Sequence, residues 1–339
     1  MHFKAKAILI VFLLFPVLLA EGQLSRYDSL KLIYQANLKI GVSDSHLAGN
    51  LLEMAREIKI SDPDLALSYL NSAVELALKD DENRNRPGVI YTEIGNIYLS
   101  LGLNYNALDY FFRSYKVHES CANQNGMAYC LSDIGNVYWA EGQYDITPRY
   151  YRRALSIFRS LKDTIGQAVA INNLGLVKRE QLEMDSAYAY FQQALDLRLK
   201  TGNAFLVLHS YLYLAGVHQY RKEYGKAMEF YDKALFMLNN ISLPYREDED
   251  FRANLYLSRG QTFRMMGKMA SAIESFEAAA EIASRIQSPY HLAMVNINLA
   301  VVYNQMELDS KVAPSILQAK HWARRSGNGD LLKSILSEA

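Results

Sequence analysis

Between residue 44 and the C-terminus, apolar and small residues recur at offsets of three, four and seven, the spacing that aligns side chains on one face of an α-helix. The stripes come in pairs parted by a short polar break, so the pattern predicts helical hairpins. The hairpins also repeat. A small residue stands at Gly95, Gly135, Gly175, Ala215, Gly260 and Ala300, forty residues apart except for one step of 45. Twelve residues after each comes Ala107, Thr147, Ala187, Ala227, Ala272 or Val312, and four further on Phe111, Tyr151, Phe191, Tyr231, Phe276 or Ile316. Three beyond those stand Ser114, Ala154, Ala194, Ala234, Ala279 and Ala319, and Met54, Ala66, Leu70 and Ala73 form a fainter first copy. Gly102, Gly142 and Gly267 lie at the break, where a helix ending in a left-handed residue favours glycine. Ser61-Asp62-Pro63 and Ser288-Pro289 carry the capping and first-turn residues of helix starts. One hairpin cannot bury both of its stripes, so stability has to come from stacking.

The fragments EIGNIY (93–98), DIGNVY (133–138) and NNLGLV (172–177), followed by YNALDYF, YDITPRYY and MDSAYAYF, resemble the tetratricopeptide-repeat family in a variant with a period of about forty residues. The resemblance covers residues 44–326. It implies an all-α fold, an α-solenoid wound as a right-handed superhelix, whose first helices line a concave groove. Lys178 and His218 replace the aromatic found at Tyr98, Tyr138 and Tyr303, while Thr147 and Val312 replace alanine; each departure is expected to weaken one joint. The organisation expected is a signal peptide (1–22), an N-terminal helix (24–43), seven repeats (44–326), and a capping helix or first helix of a shortened eighth repeat (328–339). In that last helix Asp330 would cap and Leu331, Leu332, Ile335 and Leu336 would share a face.

The signal peptide rests on Lys4 and Lys6, an apolar run from Ala7 to Ala20, and small residues at Ala20 and Gly22. The run is shorter than the ~20 residues of a spanning helix. An exported, periplasmic chain is expected, with no membrane insertion after cleavage. Lys and Arg number 36, and so do Asp and Glu, so no excess of positive charge favours nucleic acid. Tyrosine stands out, with 24 residues against 13 Phe and 2 Trp. Its recurrence at repeat positions marks most of it as packing.

Catalytic and metal motifs are missing from the pattern. No two of the seven histidines have the i, i+4 spacing of a helical zinc site. There is no phosphate-cradling loop after a strand and no nucleophile elbow, and the carboxylates read as exposed helix positions. A non-enzymatic chain without cofactor is expected. Cys121 and Cys130 flank one turn and are expected to be free, mostly buried thiols. The 45-residue step places extra residues around 239–251, read as a solvated loop with the acidic run Glu247-Asp248-Glu249-Asp250, the alternative being a gate or contact on the array's rim.

Taking the small residue of each first helix as zero and advancing ~100° per residue, positions −2, +1 and +5 fall on the face that packing does not use. Asn96, Asn136, Asn173 and Asn298 stand there. An amide both donates and accepts, so amides one repeat apart could hold the backbone of an extended peptide whatever its side chains. They resemble the asparagine ladder of peptide-binding members such as kinesin light chain. Tyr213 and Tyr220 share this face; Trp139, Arg179 and Arg264 stand at its edge as candidate anchors. Glu93 and Asp133 lie where the chaperone-tail-binding members carry basic clamps, which disfavours that mode. The function expected is a protein- or peptide-binding scaffold, the alternative being the periplasmic sensor portion of a signalling protein, a histidine kinase or transcriptional regulator.

Overall fold

The computed structural model describes residues 25–80, 83–241, 245–326 and 329–338, all helix and connecting turn. The expected signal peptide lies outside them. The helices are α1 (Arg26–Ile40), α2 (Asp44–Ile58), α3 (Pro63–Ala77), α4 (Arg86–Ser100), α5 (Asn104–Ser120), α6 (Gln124–Ala140), α7 (Thr147–Ser160), α8 (Thr164–Glu180), α9 (Met184–Thr201), α10 (Ala204–Tyr220), α11 (Tyr224–Asn240), α12 (Tyr245–Met265), α13 (Met269–Arg285), α14 (Pro289–Gln305), α15 (Asp309–Ser326) and α16 (Gly329–Glu338). The chain divides into two compact units, residues up to Val177 and residues from Lys178.

In the first unit α2 packs with α3, α4 with α5 and α6 with α7, and α5 in turn lies against α6. The join inside α4–α5 and inside α6–α7 is a ring against a residue without a side chain. A Cβ added to Gly135 would stand 2.6 Å from Cε1 of Tyr151, so the two helices approach closely enough for the ring to lie on bare backbone. Phe111 meets Gly95 in the same way. Successive hairpins are sealed two turns later, where His118 and Phe158 fill the positions facing Gly126 and Gly166. Tyrosines complete the mortar: Tyr98 stacks on Tyr110 at 5.5 Å and Tyr138 on Tyr150 at 5.2 Å. Three helices of this unit begin on side-chain caps, α3 on Asp62, α6 on Asn123 and α8 on Asp163.

The second unit repeats the plan with α10 on α11, α12 on α13 and α14 on α15. Phe276 lies on Gly260, and Tyr231 is buried beside Ala215 and Ala227. Lys178 and His218, which break the aromatic pattern, each reach a glutamate five residues on: Lys178 Nζ lies 2.8 Å from Glu183 and His218 Nδ1 2.7 Å from Glu223. His218 also stacks on Phe230, so a polar joint replaces the aromatic one instead of leaving it loose. In α16, Ile335 is buried with Leu331 and Leu332 packed around it; the side chains of Asp330 and Leu336 lie outside the described set.

Two expectations are corrected. The acidic run is helix and not solvated loop, because α12 starts at Tyr245 and takes Asp248, Glu249 and Asp250 into its first turns, while residues 242–244 lie outside the described set. Asp248 pairs with Arg252 at 2.8 Å, and Glu249, only 7% exposed, faces Arg285 at 3.3 Å. Opposite charges on the same and the next helix let an acidic run fold as helix. Both cysteines are free, and Cys130 is buried against Ser114 at 3.1 Å, its thiol pushed up to about 11 by burial; Cys121, however, is partly exposed.

From α4–α5 onward, the turn inside each hairpin uses one left-handed residue. Gly102, Gly142 and Gly267 take it without cost, but Leu182 (φ 61°), Lys222 and Glu307 take it with a side chain. Leu182 is 64% exposed and buries little that would offset the strain. Leu182→Gly is expected to stabilise the protein by about 1 kcal/mol, after the greater freedom of glycine in the unfolded chain is deducted. Chemical denaturation checks it; a loss of stability would show the backbone strain to be negligible.

Candidate partner-binding face

In the first unit, α4, α6 and α8 set Glu93, Asp133 and Asn173 at the same register, with Asn96 and Asn136 three residues along from the first two. Asn136 is the centre of a small network. Its Oδ1 accepts from the Tyr151 hydroxyl at 2.8 Å and from Asn173 Nδ2 at 3.3 Å, so the amides of successive repeats are linked directly. Asn96 is half-buried and makes no side-chain hydrogen bond to a described residue. Trp139 lies half-buried at the edge, its indole Nε1 enclosed and without a hydrogen-bond partner among the described residues.

The carboxylates of this face differ sharply. Glu93 is held by Arg56 at 2.7 Å and Lys59 at 3.4 Å, both from α2. Asp133 has no cation within ion-pair distance among the described residues. It keeps one edge in solvent while protein crowds the rest, and that enclosure, with the charge of Glu93, pushes its carboxyl up to about 7. Enclosure also raises the Tyr151 hydroxyl, and the charge of Asp133 adds to it. The expectation that the acidic groups are plain exposed positions therefore fails at Asp133 as it does at Glu249.

In the second unit the predicted residues are more dispersed. Tyr220 is 55% exposed, as the helical register requires. Tyr213 is half-buried, stacked on Phe191 at 5.2 Å. Arg179 turns its guanidinium onto neighbouring Glu180 at 2.8 Å, and Arg264 is half-buried with an enclosed Nε. Asn298 is buried: its Nδ2 donates to the Met294 carbonyl of its own helix and its Oδ1 accepts from Gln261 at 3.3 Å. The structure thus brings Asn136 and Asn173 together, pairs Asn298 with Gln261, and leaves Tyr220 open. Sequence reasoning missed Tyr151 and Gln261 as partners of the amides, although both recur at fixed offsets and could have been paired by that spacing.

Among the described residues no group of three or more His, Cys, Asp or Glu side chains could hold a metal ion, and no helix is long and apolar enough to cross a membrane. A cavity of about 530 Å³ opens between α1, α2 and the start of α4, lined in part by Asn37, Asn50, Asn85 and Arg86. Asn37 and Asn50 bond each other at 2.8 Å, and Arg86 donates to the Ser45 carbonyl.

Residues 166–240 match one tetratricopeptide-repeat profile and residues 253–285 another. A search of curated proteins finds no match. Similar solved structures include aspartyl phosphate phosphatase F from Bacillus subtilis (15% identity, 95% of this chain and 81% of that one, TM-score 0.66). A Rap protein complexed with competence and sporulation factor aligns at 16% identity over 92% of this chain and 81% of that one, with a TM-score of 0.64. The Rap conjugation gene regulator of plasmid pLS20, solved with the Phr* peptide, aligns at 15% identity over 86% and 94%, with a TM-score of 0.56. At these identities the likeness concerns the fold, an all-α solenoid of stacked helical hairpins. The chain thus carries tetratricopeptide repeats at residues 166–240 and 253–285, within an all-α fold of stacked helical hairpins.

Proposed function

We propose that the protein is an exported, non-catalytic scaffold that holds a protein segment or extended peptide on the exposed faces of its first helices. The observation that carries this reading is the line of Asn96, Asn136 and Asn173 on one face of α4, α6 and α8, where side-chain amides can bond a peptide backbone independently of its sequence. The Phr* complex of the pLS20 regulator, a protein of similar fold, supports the choice of a peptide over a small molecule. Balanced charge gives no electrostatic pull toward nucleic acid. Export to the periplasm rests on Lys4, Lys6 and the apolar run from Ala7 to Ala20, and the mature chain is then expected to begin at Gln23. N-terminal sequencing of the protein from the exported fraction tests that step; an uncleaved Met1 overturns it.

Crosslinking in the exported fraction identifies the bound protein, and the double variant Asn136→Ala, Asn173→Ala then tests the face. Binding is expected to weaken about tenfold or more, with stability lowered by about 1–2 kcal/mol through loss of the Tyr151 and Asn136 bonds. Unchanged affinity alongside lowered stability would assign these amides to packing alone.

A further inference from the structure

On one repeat of the amide-lined face, the fold leaves a carboxylate without a counter-charge. Glu93 and Asp133 occupy equivalent positions on α4 and α6, yet only Glu93 receives cations, Arg56 and Lys59 from the preceding repeat. Asp133 makes no ion pair and no side-chain hydrogen bond to a described residue, and it is largely enclosed while remaining open along one edge. The groups that face it oppose its charge: Glu93 from α4 is acidic, and Tyr151 from α7 turns its hydroxyl to Asn136. Enclosing a carboxylate in this way costs free energy that nothing inside the protein offsets. A cation arriving along the open edge would offset it.

We propose that Asp133 is the specificity-determining residue of the first unit's face, receiving the Lys or Arg side chain of an extended peptide whose backbone lies on Asn96, Asn136 and Asn173. This deepens the peptide-binding reading and rests on it. Charge complementarity selects the occupant, since Glu93 adds negative potential to the same face while its own cations are already committed. A free metal ion fits poorly, because no third ligand-bearing side chain joins the two carboxylates. The bond is charge-assisted, with guanidinium or ammonium N–H groups donating to the carboxylate oxygens and the flanking amides left for the peptide backbone. Because the carboxyl is pushed up to about 7, cation recognition strengthens as pH rises from 5 to 8 and Asp133 ionises.

The test uses the full chain and pools of labelled synthetic peptides, randomised except for one fixed position that is Arg, Lys, Gln or Glu. Fluorescence polarisation at pH 8 is expected to give about tenfold tighter binding of the Arg and Lys pools than of the Gln pool, with the Glu pool weakest. Asp133→Asn, nearly isosteric, should remove that preference while keeping the Gln-pool affinity, its folding being checked by circular dichroism and denaturant titration. At pH 5 the wild-type preference should shrink toward that of the variant. Free arginine at the same concentration should not displace bound peptide; displacement would show a small-cation site instead and overturn the proposal. Equal binding of all pools, or a preference retained in Asp133→Asn, overturns the role of Asp133 and leaves the scaffold reading standing. Binding of none of the pools overturns both.

Discussion

Replacing Gly135 by alanine is expected to destabilise the protein by about 2–3 kcal/mol, although alanine is the better helix former by about 1 kcal/mol. The sign follows from the 2.6 Å that would separate the new Cβ from Cε1 of Tyr151, a distance the packed ring cannot tolerate. Tyr151 is only 2% exposed, so it has no free space to move into. Its displacement would also pull the hydroxyl from Asn136, loosening the link to Asn173. Denaturant unfolding measures the loss, and adding Tyr151→Leu to Gly135→Ala should recover part of it by removing the clash. Gly216→Ala is the control: a Cβ there meets nothing within 4 Å, so the same change should be neutral or stabilising by up to about 1 kcal/mol. Similar losses at both glycines would show that helix interiors, and not ring-on-backbone contact, decide the outcome.

Asp133→Asn is expected to stabilise the protein by roughly 2 kcal/mol at pH 8 and to change little at pH 4, a full three-unit shift being discounted for the edge that remains in water. The native carboxyl, pushed up to about 7, holds its proton to higher pH than the unfolded chain, which releases it near ~4. Between these values the native state binds more protons, so this residue makes stability fall as pH rises, and the amide removes the effect. Buried histidines act in the opposite direction. Burial lowers His118, His209 and His291, so below about 6.5 the unfolded chain takes up protons that the native state refuses and stability falls with pH. Wild-type stability should therefore peak in mildly acidic to neutral solution, and the variant's advantage should grow from about pH 4 to about pH 7 and hold constant above that. A pH-independent difference between the two proteins would show that Asp133 titrates normally.

Much of the fold is legible because the repeat states the same packing rule again and again: a small residue, then a ring sixteen positions later, gave Gly95 with Phe111, Gly135 with Tyr151 and Gly260 with Phe276. The face of the first helices is legible for the same reason, since helical register alone points Asn96, Asn136 and Tyr220 away from the core. What register cannot supply is what another helix brings. Asn298 has the same register as Asn173 but is buried and held by Gln261 and its own backbone, and Arg179 is committed to Glu180. The acidic run before Phe251 reads as a loop until Arg252 and Arg285 are seen opposite it. Asp133 and Glu93 look alike in sequence, and only the placement of Arg56 and Lys59 separates them.

The link from Tyr151 and Asn173 to Asn136 gives the face a polarity. Both bonds end on the carbonyl oxygen of Asn136, which uses its two lone pairs and leaves only the NH2 group unengaged. That position can therefore meet a backbone carbonyl but not a backbone N–H, whereas Asn173, which gives one NH2 hydrogen to this link, keeps its Oδ1 to meet an N–H and one hydrogen to donate. Two neighbouring amides that are chemically identical in sequence thus become one that only donates and one that can also accept, in a fixed order. An extended chain run in one direction would match that order, and the reversed chain would set like against like.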